Sequence, residues 1–277
     1  MESRRLGHVK VGIWGVLMVG LLLGVTMTRL EWAQSPKPAP NAAAYSDTYC
    51  SGFIGEGEIS RIGEVLGAEE GRKKNELITG DLVYLGNGAL SNFQKGQELF
   101  IIRTLRKIKN LGTLYGDIAH VKIVDIQDNV VVGEIVFSCW SVVVGDWVIA
   151  PQSRLLPPVG TGVVVDRFAP PTGKAEGQII DSKWREVELG QSSIVYLNVG
   201  TNQGVQVGST LRISRPADEG AVSVYNREFY AKLGKTAHFP RQVLGDCVIL
   251  QAEENSSTAI ITSSREEITI GDRVELR

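Results

Sequence analysis

The residues of this chain that could act as acids, bases or nucleophiles are sparse and form no catalytic motif. Beyond the apolar N-terminal run the chain has two histidines, His120 and His238. A Ser-His-Asp triad, or a general base working near neutral pH, would need one of them beside a nucleophile and a carboxylate. The sequence also lacks Cys-x-x-Cys, His-Glu-x-x-His and a Gly-rich loop that opens a helix. We therefore predict a non-enzymatic protein with no catalytic residues, no metal site and no cofactor.

Three glutamates leave one enzymatic alternative open. Glycoside hydrolysis needs an acid and a base carboxylate that converge in one cleft. Glu134, Glu186 and Glu188 are available, but their spacing along the chain defines no pair. The alternative function is accordingly a glycan-active enzyme or a carbohydrate-binding accessory of cell-wall metabolism.

Within each copy of a repeat described below, two aspartates follow a glycine and precede an apolar, alternating run: Asp117 and Asp146 in the first copy, and Asp246 and Asp272 in the second. Glycine adopts positive φ without steric cost, and an aspartate side chain accepts hydrogen bonds from the backbone of the turn that it begins. Each Gly-Asp pair therefore predicts a turn that leads into a strand. This interpretation is favoured over metal ligation for Asp117, Asp146, Asp246 and Asp272.

The elements that would position these side chains belong to an internal repeat. The stretch 82–103 aligns without a gap on 194–215, and nine of twenty-one consecutive positions are identical. Average residue usage would give roughly one or two identities. The shared positions are mostly glycines and alternating apolar residues, which predicts a duplicated β unit.

Two pairs of equivalent residues in this repeat invite a functional interpretation. Tyr84 and Tyr196 would suit a repeated binding surface, but we predict that each ring packs on its own module with its hydroxyl in water. Arg103 and Arg215 are predicted to cap strand ends. When the Gly-Asp pairs are used to extend the alignment, His120 falls on Ile249. A general base is therefore not part of the repeated pattern.

The predicted fold class is all-β, with two tandem related small β-barrel modules after an N-terminal apolar helix. Strands of five to seven residues alternate with Gly-containing turns, and no helical period follows the N-terminus. Each copy offers five or six strands, and closure of so few strands removes exposed edges. The predicted domains are a signal peptide or membrane anchor at 1–34, a tether and lead-in segment at 35–65, a first barrel at 66–152, a connector at 153–178, and a second barrel at 179–277 with an inserted loop at 216–240.

The N-terminus predicts export. Arg4, Arg5 and Lys10 precede an uncharged apolar run over 11–28, which is the form of a cleaved signal or of a retained inner-membrane anchor. The run is followed by a proline-rich tether at 35–44. The net charge of -2 gives no field that would collect nucleic acid. We therefore expect a location in the periplasm or cell envelope.

Export has a consequence for the three cysteines, Cys50, Cys139 and Cys247. In an oxidising compartment two of them can pair, and sequence alone does not settle which. A Cys50–Cys139 bond would staple the leading segment to the first module. Cys247 lies in an apolar strand run and is predicted to be a small buried residue.

The inserted loop 216–240 is the feature that most suggests recognition. It interrupts only one copy of the repeat, and long loops on small β scaffolds often carry binding function. Aromatic side chains, which are favoured at contacts, are concentrated there. We predict a partner-binding loop that uses Tyr225, Phe229, Tyr230 and Phe239.

The second copy resembles a known bacterial envelope family. The run GQIIDSKWREVELGQSSIVYLNVGTNQGVQVGSTLRISRP, with VLGDCVIL and ITIGDRVEL after it, is similar to the β-rich region that follows LysM in LysM-domain proteins. It is more weakly similar to the C-terminal β domain of flagellar-ring accessory proteins. The turn glycines of that theme are matched by Gly200, Gly204 and Gly208 after Asn198, and LITGDLVYLGNGALSNFQKGQELFIIR resembles the preceding unit. The LysM module itself is absent, so direct peptidoglycan binding is not implied.

The resemblance implies a β fold without catalytic residues. Together with the N-terminus it predicts an exported, non-enzymatic envelope protein that acts as a binding or assembly module. The expected partner is an envelope protein or a peptidoglycan component. Nucleic acid is not expected, and the inner membrane is a partner only if the N-terminal helix is retained.

Overall fold

The computed structural model describes residues 43–69, 74–88, 93–128, 130–158, 166–216 and 240–277. The apolar N-terminal run lies outside these residues, as do Tyr225, Phe229, Tyr230 and Phe239 of the predicted partner-binding loop. Within the described ranges the chain is almost entirely β, with one short α-helix, α1 (Tyr45–Tyr49), and one 3-10 helix of three residues, Thr201–Gln203. No helix in these ranges is both long and apolar enough to span a bilayer.

The first module is an antiparallel sheet of seven strands. Its order is β1-β5-β4-β7-β2-β3-β6, and β5 also pairs with β6. Branched apolar side chains from alternate strand positions fill its interior, including Val83, Leu99 and Val121. Its strands are β1 (Phe53–Gly55), β2 (Gly63–Ala68), β3 (Leu82–Gly86), β4 (Glu98–Ile108), β5 (Gly112–Gln127), β6 (Val130–Ser138) and β7 (Trp147–Ile149).

The second module is a closed barrel of six antiparallel strands, which confirms the barrel predicted for this half of the chain. Its order around the barrel is β10-β11-β12-β9-β8-β13. The interior is filled by apolar residues such as Val195, Leu211 and Ile261, together with the buried thiol of Cys247. Its strands are β8 (Glu176–Ser182), β9 (Ile194–Leu197), β10 (Thr210–Arg215), β11 (Gln242–Ala252), β12 (Ser257–Ser264) and β13 (Arg273–Leu276).

The strand pairings of the two modules correspond one to one. The succession β2-β3-β6-β5-β4-β7 in the first sheet matches β8-β9-β12-β11-β10-β13 in the barrel. The register is also shared, because Leu99 pairs with Val121 and the equivalent Leu211 pairs with Cys247. A register shift follows Ile101 in β4, and an equivalent shift follows Ile213 in β10.

This register corrects two sequence predictions about the Gly-Asp pairs. His120 lies opposite Phe100, and at the same place in the barrel Asp246 lies opposite Arg212, so His120 corresponds to Asp246 and not to Ile249. Asp117 and Asp246 lie inside β5 and β11 and do not begin turns. The prediction failed because both strands continue through their Gly-Asp pair, and each pair lies close to a register shift.

Residues 43–56, here called the strap, run beside both modules. The strap contains α1 and β1, and β1 adds to the edge of the first sheet by pairing with β5. The described residues, from Ala43 to Arg277, belong to one compact unit. The strap and the β1 strand thus belong to the folded body, although the sequence assigned them to a tether and lead-in segment.

Candidate functional site

The strap is fixed to the first module by a covalent bond and by hydrogen bonds. Cys50 and Cys139 form a disulfide with their Cα atoms 5.4 Å apart, which is the pairing that the sequence proposed as a staple. The backbone N–H of Gly52 donates to Asp117 Oδ2 at 2.9 Å. These bonds place the strap across the outer face of β5, where Asp117 and His120 are buried.

The same strap also binds the second module. Tyr196 Oη donates to the carbonyl oxygen of Ser51 at 2.7 Å, and Thr258 Oγ1 donates to that of Gly52 at 3.0 Å. Asn255 Nδ2 donates to Glu56 Oε2 at 2.6 Å. The prediction that the Tyr196 hydroxyl reaches water is therefore wrong, because the strap covers it, and this burial raises the pKa of Tyr196.

A buried ion pair lies under the strap. Arg154, from the segment after β7, donates to both carboxylate oxygens of Asp117 at 2.7 and 2.8 Å. Its guanidinium also donates to the carbonyl of Thr48 at 3.0 Å and lies 5.7 Å from the ring centroids of Tyr49 and Phe53. Both charged side chains are almost fully buried, so their mutual pairing offsets a large desolvation cost.

His120 sits next to this pair as an uncharged, packed ring. It stacks on Phe100 with a centroid separation of 3.9 Å, and its Nδ1 lies 3.1 Å from Tyr45 Oη. Burial lowers the pKa of His120 to about 4; the positive charge of Arg154 acts in the same direction and Asp117 opposes it. The ring is thus neutral at physiological pH, and its surroundings are those of a core aromatic side chain.

Two equivalent Arg-Asp pairs hold the last strand of each module. Arg103 Nε and Nη2 donate to Asp146 at 2.7 and 2.8 Å, and Arg215 makes the same two bonds to Asp272 at 2.7 and 2.7 Å. Each aspartate also accepts a backbone N–H from the residue three positions before it, Val143 or Thr269. Both aspartates lie in turns that lead into strands, as predicted, but each is the last residue of its turn and not the first. The sequence did not lead us to predict their arginine partners, although the recurrence of both the arginine and the aspartate in both copies indicated a pair.

A cleft between the modules is the open, mixed-polarity feature of the described surface. Its volume is about 470 Å³. The β4–β5 hairpin supplies one wall, and the loop after β8 and the turn before β13 supply the other. Arg106 joins the walls, because its Nε donates to Asp181 at 2.7 Å and its Nη2 donates to the Ser182 carbonyl at 3.0 Å. The lining residues are Arg106, Lys107, Ile108, Ile180, Asp181, Arg185, Glu186, Val187, Thr269 and Ile270.

Apolar side chains are exposed along this cleft, here called the inter-module cleft. Val187 is 78% exposed and Ile270 is 45% exposed. Trp184, in the same loop as Val187, is 58% exposed and stacks on Trp140 of the first module at a centroid distance of 5.0 Å. Exposed apolar groups that adjoin one another mark interaction sites more often than scattered ones do.

The backbone of that loop is held in an unusual conformation at Arg185. Its φ is 58°, in the left-handed region that side chains other than glycine seldom adopt. The turn is closed by a 3.3 Å hydrogen bond from the Arg185 N–H to the Ser182 carbonyl. Such strain persists only where surrounding contacts impose it, and it is concentrated at functional sites.

The three glutamates of the enzymatic alternative are divided between the modules. Glu186 lines the inter-module cleft, and Glu188 is exposed in the same loop. Glu134 is exposed on β6, where its register partners are Leu82 and Lys122. Among the described residues no group of three or more His, Cys, Asp or Glu could hold a metal ion.

A second, smaller cavity lies in the barrel at the root of the inserted loop. Its volume is about 140 Å³. The buried carboxylate of Glu275 lines it and is paired with Arg241 at 2.6 Å and with Arg212 at 3.2 Å. This carboxylate already has two cationic partners, so the cavity has the character of an internal ion-pair network.

Comparison with known proteins adds no assignment. No protein-family model matches the chain, and no curated protein matches it. The resemblance to the LysM-associated β region accordingly rests on the residues quoted above.

Proposed function

We propose that this chain is an exported, non-enzymatic cell-envelope protein that acts as a binding or assembly module, and that the inter-module cleft is its contact site. The observation that carries the proposal is the composition of the cleft. Exposed apolar side chains from the second module face a charged hairpin of the first module across a single opening. Surfaces that combine exposed apolar side chains with polar and charged ones are typical of protein contacts.

The disulfide and the N-terminus support the location. Disulfides persist in oxidising compartments and are rare in the cytosol. The Cys50–Cys139 bond is therefore consistent with the basic and apolar N-terminal run, which is the form of an export signal or a membrane anchor. We place the protein in the periplasm, anchored to the inner membrane if the N-terminal segment is retained.

We further infer that the two modules are copies of one small barrel. The supporting observations are the aligned sequences of 82–103 and 194–215, the common order of strand pairing, and the pairing of β5 with β6 that returns the first sheet on itself. A duplicated pair creates a junction that neither copy has alone. The inter-module cleft lies at that junction, which is where a duplicated scaffold can acquire a new binding surface.

Site-specific photo-crosslinking in intact cells tests this function. A photoreactive residue would replace Ile270 in the full chain, and Val144 provides a matched control. Both residues are exposed, and both directly precede a Gly-Asp turn of their module, but Val144 does not line the cleft. We expect adducts with an envelope protein or with peptidoglycan from position 270 and none from position 144.

Equal adducts from both positions, or none from position 270, would overturn the proposed contact site. Recovery of the protein from the cytoplasm with reduced Cys50 and Cys139 would overturn the proposed location. Alkylation of the unreduced protein followed by mass spectrometry measures the state of the two cysteines.

A further inference from the structure

We propose that the occupant of the inter-module cleft is an extended acidic segment of a partner protein that also carries apolar side chains. This inference rests on the proposed function and specifies the chemistry of the partner. It follows from the charges, the exposed apolar groups and the loop conformation at the cleft.

The charge balance of the lining residues favours an anionic ligand. Arg106 and Asp181 form an ion pair and neutralise each other. Lys107 and Arg185 are exposed and have no ion pair among the described residues, and Glu186 is the one other acidic group that lines the cleft. The lining residues therefore carry three cations against two carboxylates, a local excess of one positive charge on a chain whose net charge is -2. Complementary charge of this kind steers association and selects partners.

The exposed apolar side chains require that the ligand is more than a small anion. Val187 and Ile270 leave apolar surface in water next to the cations, and covering such surface is favourable in proportion to its area. A peptide in which carboxylates and apolar side chains alternate would meet both features. An extended chain places successive side chains on opposite sides, so it can present carboxylates to Lys107 and Arg185 and apolar side chains to Val187 and Ile270.

The loop that carries Arg185 and Val187 is already held in shape. The left-handed backbone at Arg185 is stabilised by contacts on each side of it, namely the Arg106 bond to the Ser182 carbonyl and the stacking of Trp184 on Trp140. Because these contacts cross between the modules, the binding groups are positioned before the ligand arrives. Such preorganisation reduces the entropy that binding must offset.

Fluorescence anisotropy with labelled eight-residue peptides tests the proposal on the full, disulfide-bonded chain in detergent. The probes are a peptide of alternating Glu and Leu, one of alternating Lys and Leu, and one of alternating Glu and Ser. We expect the Glu-Leu peptide to bind at least tenfold more tightly than either of the others. Its affinity should fall as salt is raised.

Charge-reversal variants locate the binding. The double variant Lys107→Glu, Arg185→Glu should weaken binding of the Glu-Leu peptide at least tenfold. The matched control is Lys122→Glu with Arg265→Glu, which changes the net charge equally at two exposed positions away from the cleft and should leave binding unchanged. Intact Cys50–Cys139 and an unchanged circular dichroism spectrum show that each variant is folded.

Three outcomes would overturn the acidic-segment proposal. The first is equal binding of the Lys-Leu peptide, and the second is equal weakening by both double variants. The third is a dimer of the chain, detected by analytical ultracentrifugation, that is lost in Val187→Asp. Such a dimer would mean that a second copy of the chain occupies the cleft. Adducts from position 270 without a preference for the Glu-Leu peptide would leave the contact site standing and reject only the partner chemistry. Peptide binding without adducts in cells would instead reject the proposed function.

Discussion

The two modules have equivalent interiors and differ in what covers the outer face of their long central strand. In the first module the strap lies over β5, and His120 packs there between Phe100 and Tyr45. At the equivalent place on β11 the barrel has Asp246, whose Oδ2 accepts from Arg277 at 3.3 Å. Its Oδ1 is buried with no hydrogen-bond partner in the described part of the chain.

This difference shows which constraints the repeat retained. Apolar contacts inside each module and the Arg-Asp pairs at Asp146 and Asp272 depend on the barrel geometry, and they recur in both copies. The residues on the outer faces depend on the segments that pack against them, and these residues differ between the two copies. The disulfide and the Asp117–Arg154 pair belong to the first module's outer face, whereas the strap contacts both modules.

Removal of the disulfide should have the largest effect on stability, and it should destabilise the first module. Replacement of Cys50 and Cys139 by serine releases a link across 89 residues, which is expected to lower the free energy of unfolding by about 4 kcal/mol. Urea denaturation measures the loss. Hydrogen exchange should lose protection in the strap and β5 before the barrel strands β8–β13. Protection lost first in the barrel would contradict the assignment of the strap to the first module.

Arg154→Ala should have the next largest effect on stability, because it leaves the Asp117 carboxylate buried without its cation. We expect a loss of about 3 kcal/mol in the free energy of unfolding. Replacement of both residues by leucine removes the buried charge as well, so it should recover most of the loss. If the double variant is no more stable than Arg154→Ala, desolvation of the carboxylate is not the cause of the lost stability.

The twin Arg-Asp pairs give the most direct test of equivalence between the modules. Arg103→Ala and Arg215→Ala each leave one buried aspartate without its bidentate partner. Each should cost about 2 kcal/mol of unfolding free energy, less than a fully buried pair because both arginines are partly exposed. The two losses should agree within about 0.5 kcal/mol and should add in the double variant. A large loss from one substitution and none from the other would show that the modules have lost their equivalence.

The last prediction is a pH dependence of stability that comes from His120 in the first module. The pKa of His120 is about 4 in the folded chain and close to 6.5 when unfolded. Between these values the unfolded state binds more protons, so stability should fall as pH is lowered from 6.5 towards 4, by on the order of 2 kcal/mol. His120→Phe should remove this slope in denaturation experiments at a series of pH values.

Asp246, at the equivalent position, should act in the opposite direction. Burial raises the pKa of its carboxyl group, and Arg277 and Arg212 oppose this shift. The folded state then binds more protons than the unfolded state just above the ordinary pKa of aspartate. Its contribution to stability should therefore decline as pH rises through that window. If His120→Phe leaves the slope between pH 4 and 6.5 unchanged, the difference between the two faces does not govern the pH response.

Local patterns in the sequence were sufficient for the fold class and for part of the site. The alternation of apolar residues and turn glycines predicts the strands, and Gly145-Asp146 and Gly271-Asp272 lie in turns that lead into strands, as expected. The same dipeptide failed at Asp117 and Asp246, because a Gly-Asp pair inside a long strand has the same local sequence as one at a turn. The spacing between the copies also changes, from 112 residues at Leu82 and Ile194 to 126 residues at Trp147 and Arg273. The alignment misplaces His120 because it matches Asp117 to Asp246, 129 residues later, whereas the strand registers match His120 to Asp246, 126 residues later.

The sequence by itself thus determined the repeat, the β character and a short set of cysteine pairings, because these depend on residue type and near-neighbour order. Only the tertiary structure decided that the strap lies between the modules, that Tyr196 bonds the strap across 145 residues, and that Arg106 meets Asp181 to form the inter-module cleft. The reason is physical. Contacts between distant segments are set by strand register and by the packing of whole sheets, and neither quantity is encoded in any short stretch of the chain.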